Sequence, residues 1–201
     1  LAGRILRPVA SAIDWTADRV ITSDRRKDER MLIRRAASAE EMFPLVQQVS
    51  SQSEVYPVYT LQSFRWLLET AAQARSFGVM RKVMAVDDEG QPAGWFIYFV
   101  RPGGYARVLQ MGAMRGQEPA VLAALFHDAV EQGAVAITGQ FDSAFHTVLS
   151  NSHAIFHCRG LGVLVHARDP RLLAAIQAGD AFLSRLDGEW WMRFGIDRAS
   201  W

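Results

Sequence analysis

Four of the five histidines lie close together, at His146, His153, His157 and His166. Neutral imidazole is the commonest metal ligand, so this density raises a metal reading. The spacing does not supply the rest of a site. No His-x-x-x-His with an adjoining glutamate occurs, and one cysteine, Cys158, cannot build a multi-cysteine zinc site. No metal is expected. Cys158 directly follows His157, so on a strand the two side chains face opposite ways, which disfavours a thiol–imidazole pair between them. Pairing of Cys158 with His146 or His153 stays open. No Gly-x-Ser-x-Gly elbow is present, and Gly160-Leu161-Gly162 lacks the rest of a dinucleotide fingerprint and precedes a strand instead of following one.

Composition narrows the partners. The 22 basic and 21 acidic residues leave a net charge of +1, which gives no electrostatic case for nucleic acid or a membrane surface. Half of the 201 residues are hydrophobic, enough for a core. No run approaches the roughly 18 apolar residues of a membrane span. The stretch from Pro8 to Ile13 is too short, and too soon followed by Asp14, for a secretory signal. The single cysteine fits a reducing compartment, and a cytoplasmic protein is expected.

The elements that must position any chemistry can be read in order. Residues 1–22 carry Ile5, Val9, Ile13 and Val20 at near-helical spacing, then run into an eight-residue polar stretch, 23–30. Residues 1–30 are therefore expected to be a helical connector and charged linker, and 31–201 a domain. Residues 31–35 read as a short strand, and Ser38 with Glu41 makes a capping box for a helix through Val49. Thr60 starts a second helix with Leu61, Phe64, Leu68 and Ala72 as its stripe, widened by Trp66 and Leu67. Strands at 78–86, 92–100 and 105–111 form a meander, joined by turns at 87–90 and 102–104. In 92–100, Trp95 and Ile97 share one face while Phe96 and Tyr98 share the other, so the strand lies between layers or beside a pocket.

A helix from about 119 to 132 is expected to stop at Gly133 and to bury Val121, Leu122, Leu125, Phe126 and Val130. Residues 134–141 read as a buried strand, and Asp142 or Ser143 as the cap of a helix to about 150. A strand over 160–167, a helix over 170–186 broken by Gly188, and a strand over 190–194 complete the order. The strand over 190–194 sets Trp190 and Trp191 on opposite faces, one of them to cover a sheet edge or meet a partner. The fold class is α+β, or mixed α/β, with a central, mostly antiparallel sheet flanked by helices.

The order from 31 to 169 resembles the GCN5-related N-acetyltransferase (GNAT) family. Phe64-Arg65-Trp66, Gly94 and Gln132-Gly133-Ala134 add a likeness to the second unit of tandem GNAT-like bacterial proteins. With that likeness, residues 1–30 lead from a preceding unit, which suits a chain opening on Leu1-Ala2-Gly3. The resemblance implies a GNAT-like acyl-CoA N-acyltransferase fold and transfer of an acetyl group from acetyl-CoA to an amine. In the family, the fourth strand and the next helix carry the cofactor, through a loop of pattern Arg/Gln-x-x-Gly-x-Gly/Ala whose amides hold the pyrophosphate. The matching stretch is Arg115-Gly116-Gln117-Glu118-Pro119-Ala120. The implied cofactor residues are Met111, Gly112, Ala113, Arg115, Gly116, Gln117 and Ala120. Glu118 stands where the pattern has its first glycine, and Pro119 brings no N–H.

The resemblance also points to proton-transfer groups. The family's usual proton donor, a tyrosine on the helix after the fifth strand, has no counterpart in 143–150. His146 is the acid candidate there, with Ser150, Ser152 and His153 nearby. Glu54, in a loop with Tyr56 and Tyr59 where the family shapes its acceptor pocket, is the general-base candidate. The expected partners are a small-molecule amine or other acyl acceptor, and a second copy of the chain or a preceding GNAT-like unit. The alternative is a non-catalytic module serving packing, substrate capture or small-molecule sensing.

Overall fold

The computed structural model describes residues 32–152, 154–156 and 165–188, all within the unit 31–201. Strand β1 (Ile33–Ala36) leads into helix α1 (Ala39–Ser50). The Ser38 hydroxyl accepts from the Glu41 N–H at 3.2 Å, and the Glu41 carboxylate accepts from the Ser38 N–H at 2.8 Å. This is the reciprocal box read from the sequence. Helix α2 (Leu61–Ala71) begins on a second box, between Thr60 and Ser63. Its buried stripe is Phe64, Leu68 and Ala71. Trp66, expected to widen that stripe, is 54% exposed, because two residues beyond Phe64 is about 200° around a helix.

Strands β2 (Val79–Val86), β3 (Pro92–Val100) and β4 (Tyr105–Ala113) are the expected antiparallel meander. Helix α3 (Glu118–Glu131) returns the chain to β5 (Ala136–Thr138), which runs parallel to β4. The sheet order is β1-β2-β3-β4-β5, antiparallel except at the last pair. Trp95, Ile97 and Phe99 enter a first core with α1, α2, Phe182 and Leu186. Phe96, Tyr98 and Val100 enter a second core with α3 and Phe145. Strand β3 is thus buried on both faces, as its composition requires. Gly94 makes room for α3: a Cβ there would meet the Gly112 carbonyl oxygen at 2.4 Å and Val121 Cγ2 at 2.6 Å.

Some expectations are corrected. Residues 134–141 do not form a long buried strand; β5 has three residues and is partly exposed, being the last strand of the sheet among the described residues. Val130 is 55% exposed, and Asp128 takes a place on the buried stripe of α3 instead. The 143–150 helix opens as a 3-10 turn over 143–145, capped by the Asp142 carboxylate, before α4 (His146–Asn151). The 170–186 helix is only α5 (Pro170–Gln177). Gly179, at φ +78°, ends it, with the Asp180 N–H on the Ala175 carbonyl at 2.9 Å and the Gly179 N–H on the Ile176 carbonyl at 3.1 Å. Phe182 and Leu186 are buried from an extended stretch and a 3-10 turn over 185–187. Residues 1–30, most of 160–167, and 190–194 lie outside the described residues. No helix among the described residues is long and apolar enough to cross a membrane.

A partly buried ion pair, with Asp128 the buried member, fastens α3 to the sheet. Arg81 Nε and Nη2 donate to the two Asp128 oxygens at 2.9 and 3.0 Å, and the Tyr98 hydroxyl donates to the same carboxylate. Asp128→Ala removes the carboxylate and leaves the Tyr98 phenol unsatisfied inside the second core and the part-exposed Arg81 guanidinium without its partner. In urea denaturation it is expected to cost about 3–5 kcal/mol. Glu131→Ala, which breaks a more exposed pair with Arg34, is expected to cost about 1 kcal/mol or less.

Candidate active site

Among the described residues, β5 pairs only with Tyr105, Ala106 and Arg107 at the start of β4. From Val108 to Ala113, β4 has no strand partner on that side among the described residues. Because β5 ends at Thr138, the edge of β4 beyond Arg107 offers main-chain donors and acceptors to an extended ligand. Within this stretch β4 carries a bulge. Ile97 pairs with Gln110 and Tyr98 with Val108, so Leu109 is the extra residue. Val108 belongs to the second core, whereas Leu109 and Gln110 both turn toward the first.

The bulge delivers the Gln110 carboxamide, 1% exposed, into a polar network. Gln110 Oε1 accepts from the Trp95 indole N–H at 3.2 Å. Its Nε2 donates to the Tyr59 hydroxyl and to Ser184 Oγ, each at 3.1 Å. Tyr59 and Ser184 both donate to the Asp187 carboxylate. Burial raises the Tyr59 phenol above its usual range; the Asp187 charge and hydrogen bond add to this, and the Gln110 amide opposes it. Tyr98 is raised by burial and by its bond to Asp128, against the pull of Arg81.

At the far end of β4 the implied cofactor residues follow one another into α3. Met111 packs on the second core and Ala113 is buried in it. Gly112 lies against the Trp95 indole, where a Cβ would stand 2.3 Å from a ring carbon. The Met114 N–H donates to the Ala93 carbonyl at 2.7 Å, and the Gln117 N–H to the Met114 carbonyl at 2.8 Å. Between them Gly116 turns the chain at φ +85°, with open space where a Cβ would be. Arg115, Gly116 and Gln117 are exposed and Ala120 is partly buried. No side chain caps α3 at Gln117, so its first-turn amides and dipole remain for an anion. Pro119 withholds one of those amides, and Glu118 brings a carboxylate into the same turn.

The proton-transfer candidates sit elsewhere. The Glu54 N–H donates to Asp180 Oδ1 at 3.0 Å, and the Ser143 hydroxyl donates to the Gly179 carbonyl. Glu54 and His146 therefore belong to segments held on the same 179–180 turn, without a hydrogen bond between them. Both are exposed. His146 packs on the rings of Phe141 and Phe156 at 5.6 and 6.1 Å. Tyr59, read only as a pocket residue, is the phenol at the centre of the buried network. Gln110, Ser184, Asp187 and Asp128 were missed. Asp128 had a signal, since it lies three residues beyond Leu125 and seven beyond Val121 on the buried stripe of α3. His153, His157 and Cys158 lie outside the described residues, among which no group of acids, histidines or cysteines is placed to hold a metal.

Solved structures similar to this chain include N-acetyltransferases. Glucosamine-6-phosphate N-acetyltransferase from Arabidopsis thaliana is 11% identical with a TM-score of 0.48, over 68% of this chain and 99% of that one. Ribosomal-protein-alanine N-acetyltransferase from Brucella melitensis biovar Abortus 2308 is 16% identical at 0.47, over 68% and 99%. An aminoglycoside antibiotic 6'-N-acetyltransferase from Acinetobacter baumannii is 10% identical at 0.42, over 69% and 99%. No protein-family profile and no curated protein matches the sequence.

The raised phenols have a measurable consequence. A tyrosine whose pKa is higher folded than unfolded contributes stability that is complete below the unfolded value, about 10, and is lost as pH climbs toward the folded one. Tyr59 and Tyr98 are expected to stay protonated through pH 10–11 (about one unit above a free phenol) until the chain unfolds. In an ultraviolet titration, Tyr59→Phe and Tyr98→Phe should each leave the native tyrosinate signal unchanged and reduce the signal that appears on alkaline unfolding. A native signal diminished by either substitution counts against the network.

Proposed function

We propose that residues 31–201 are a GNAT-like N-acyltransferase domain that takes an acetyl group from acetyl-CoA to an amine. The observation that carries this reading is the edge of β4 over 108–113, without a strand partner among the described residues, running into the uncapped N-terminus of α3. An extended ligand with a phosphate at one end suits such a strand edge followed by free amides. The residues present fit that ligand with fewer donors than the family pattern offers. Arg115, Gly116, Gln117 and Ala120 would hold the phosphates, and Met111, Gly112 and Ala113 would present the strand edge. Acetyl-CoA, when bound, supplies the acyl group. Glu54 is the proposed acceptor of the amine's proton and His146 the proposed proton donor; their two segments are joined through the 179–180 turn. The cytoplasmic, bacterial setting expected from the sequence belongs to the same proposal.

A second reading is favoured by Glu118 and Pro119 in the first turn of α3 and by the exposure of both proton-transfer candidates. On it the domain is a non-catalytic module that captures a ligand or packs against another unit.

Calorimetry with acetyl-CoA tests the first reading, and thiol release in the presence of a panel of amines separates it from the second. Binding abolished by Arg115→Glu is the expected result. Glu118→Gly removes a like charge from the phosphate and should tighten binding by about three- to tenfold, the scale of a charge at a helix terminus. Absence of binding at millimolar ligand overturns the proposal. Binding without turnover selects the module.

A further inference from the structure

The buried polar network ends at one exposed carboxylate, Asp187. Its own turn supplies the ordinary part: Ser184 donates its hydroxyl at 2.5 Å and its N–H at 3.3 Å to Oδ2, closing the capping box of the 3-10 turn over 185–187. That box is sufficient to start the turn. The Tyr59 hydroxyl then arrives from a loop 128 residues earlier to donate to Oδ1. Behind both hydroxyls stands Gln110, 1% exposed, whose Nε2 donates to each at 3.1 Å. All of these donors are uncharged, and Asp187 makes no ion pair with a described residue. An ionised carboxylate accepts at about four lone-pair positions. Three donors reach Asp187 from the protein side and the residue is exposed, so the acceptor capacity that is left faces solvent. A cation with an N–H to give completes such a group through a charge-assisted hydrogen bond.

The place of this carboxylate suits an acceptor. A single hydroxyl, of Tyr59 or of Ser184, separates it from the Gln110 side chain. Gln110 in turn belongs to the 108–113 stretch of β4, whose outer edge has no strand partner among the described residues. We infer that Asp187 is an ammonium-binding carboxylate, which takes the charged end of an amine acceptor beside that strand edge. The assignment of the ammonium to an acceptor rests on the acyl-transfer reading; the site itself does not. The role of Asp187 is to hold the amine, while proton removal stays with Glu54, five residues before Tyr59 in the same loop.

Trp95 reports on the site, because its indole N–H rests on Gln110 Oε1 at 3.2 Å. Two probes of similar shape, propylamine as its ammonium ion and uncharged 1-propanol, are titrated into the full chain at fixed neutral pH while the Trp95 indole N–H is followed by nuclear magnetic resonance. A saturable shift with propylamine and none with 1-propanol is the expected result. Asp187→Asn keeps an oxygen for Tyr59 and Ser184 while removing the charge. It should weaken propylamine about tenfold or more, the scale of a charge-assisted hydrogen bond. The comparison of the two probes on the unaltered chain stands whether or not that variant folds. No saturable shift with propylamine, an equal shift with 1-propanol, or propylamine binding indifferent to Asp187→Asn overturns the site. Acetyl-CoA is titrated alongside by calorimetry. Propylamine binding without acetyl-CoA binding keeps the ammonium site and removes its role in acyl transfer, whereas acetyl-CoA binding without propylamine binding does the reverse. Competition between acetyl-CoA and propylamine for the Asp187-dependent site overturns the acceptor assignment.

Discussion

A buried carboxamide must find partners for its oxygen and its amine, because each polar group left without one costs about 1–3 kcal/mol. Gln110 meets that condition only by recruiting three other segments: Trp95 from β3, Tyr59 from the loop before α2, and Ser184 from the stretch after α5. Much of the site side of the sheet follows from this. The loop carrying Glu54 and Tyr59 and the turn carrying Ser184 to Asp187 are tied to one strand, and Asp187 joins them to each other through the Tyr59 and Ser184 hydroxyls. Were Leu109 a regular ladder position and not a bulge, the alternation of β4 from Val108 would send Gln110 into the second core, against the apolar face of α3.

The two faces of the sheet solve the burial of polar groups differently. On the α3 side a full charge pair is used, with Arg81 and Tyr98 converging on Asp128. Such a pair fixes one angular position of the helix and tolerates the loss of neither partner. On the other side the interior donors are neutral, and the one carboxylate, Asp187, belongs to an exposed residue. That arrangement holds loops, which can be reshaped with less cost than a helix docked through a buried charge.

Much of the fold was legible because its signals are local. Ser38 with Glu41, Thr60, Gly133 and the two-faced aromatic strand each act within a few residues, and the elements they mark are where the sequence places them. The misreadings share a physical cause. Gly179 ends α5 with the same glycine geometry that Gly133 provides after α3, yet Phe182 and Leu186 continue a helix-like apolar spacing beyond it. Their burial comes from the tertiary fold, and periodicity cannot distinguish the two. The bulge at Leu109 leaves no trace in a pattern of alternation, so Gln110 was invisible as an interior residue. The Tyr59–Asp187 contact joins positions 128 residues apart, and no short-range rule reaches that far. The loop at 115–120 was legible in position, through its resemblance to a known pattern.

Gly112 shows how tightly packing and polarity are joined in this sheet. Its missing side chain is the space that the benzo ring of Trp95 fills, and the opposite edge of that indole is the donor on which Gln110 rests. Displacing the ring by the width of one methyl would turn its N–H away from the amide. The disturbance would then pass to Tyr59, Ser184 and the Asp187 carboxylate at the surface. A steric error at the open edge of β4 would therefore be felt as an electrostatic one on the far side of the core, with the indole as the lever between them.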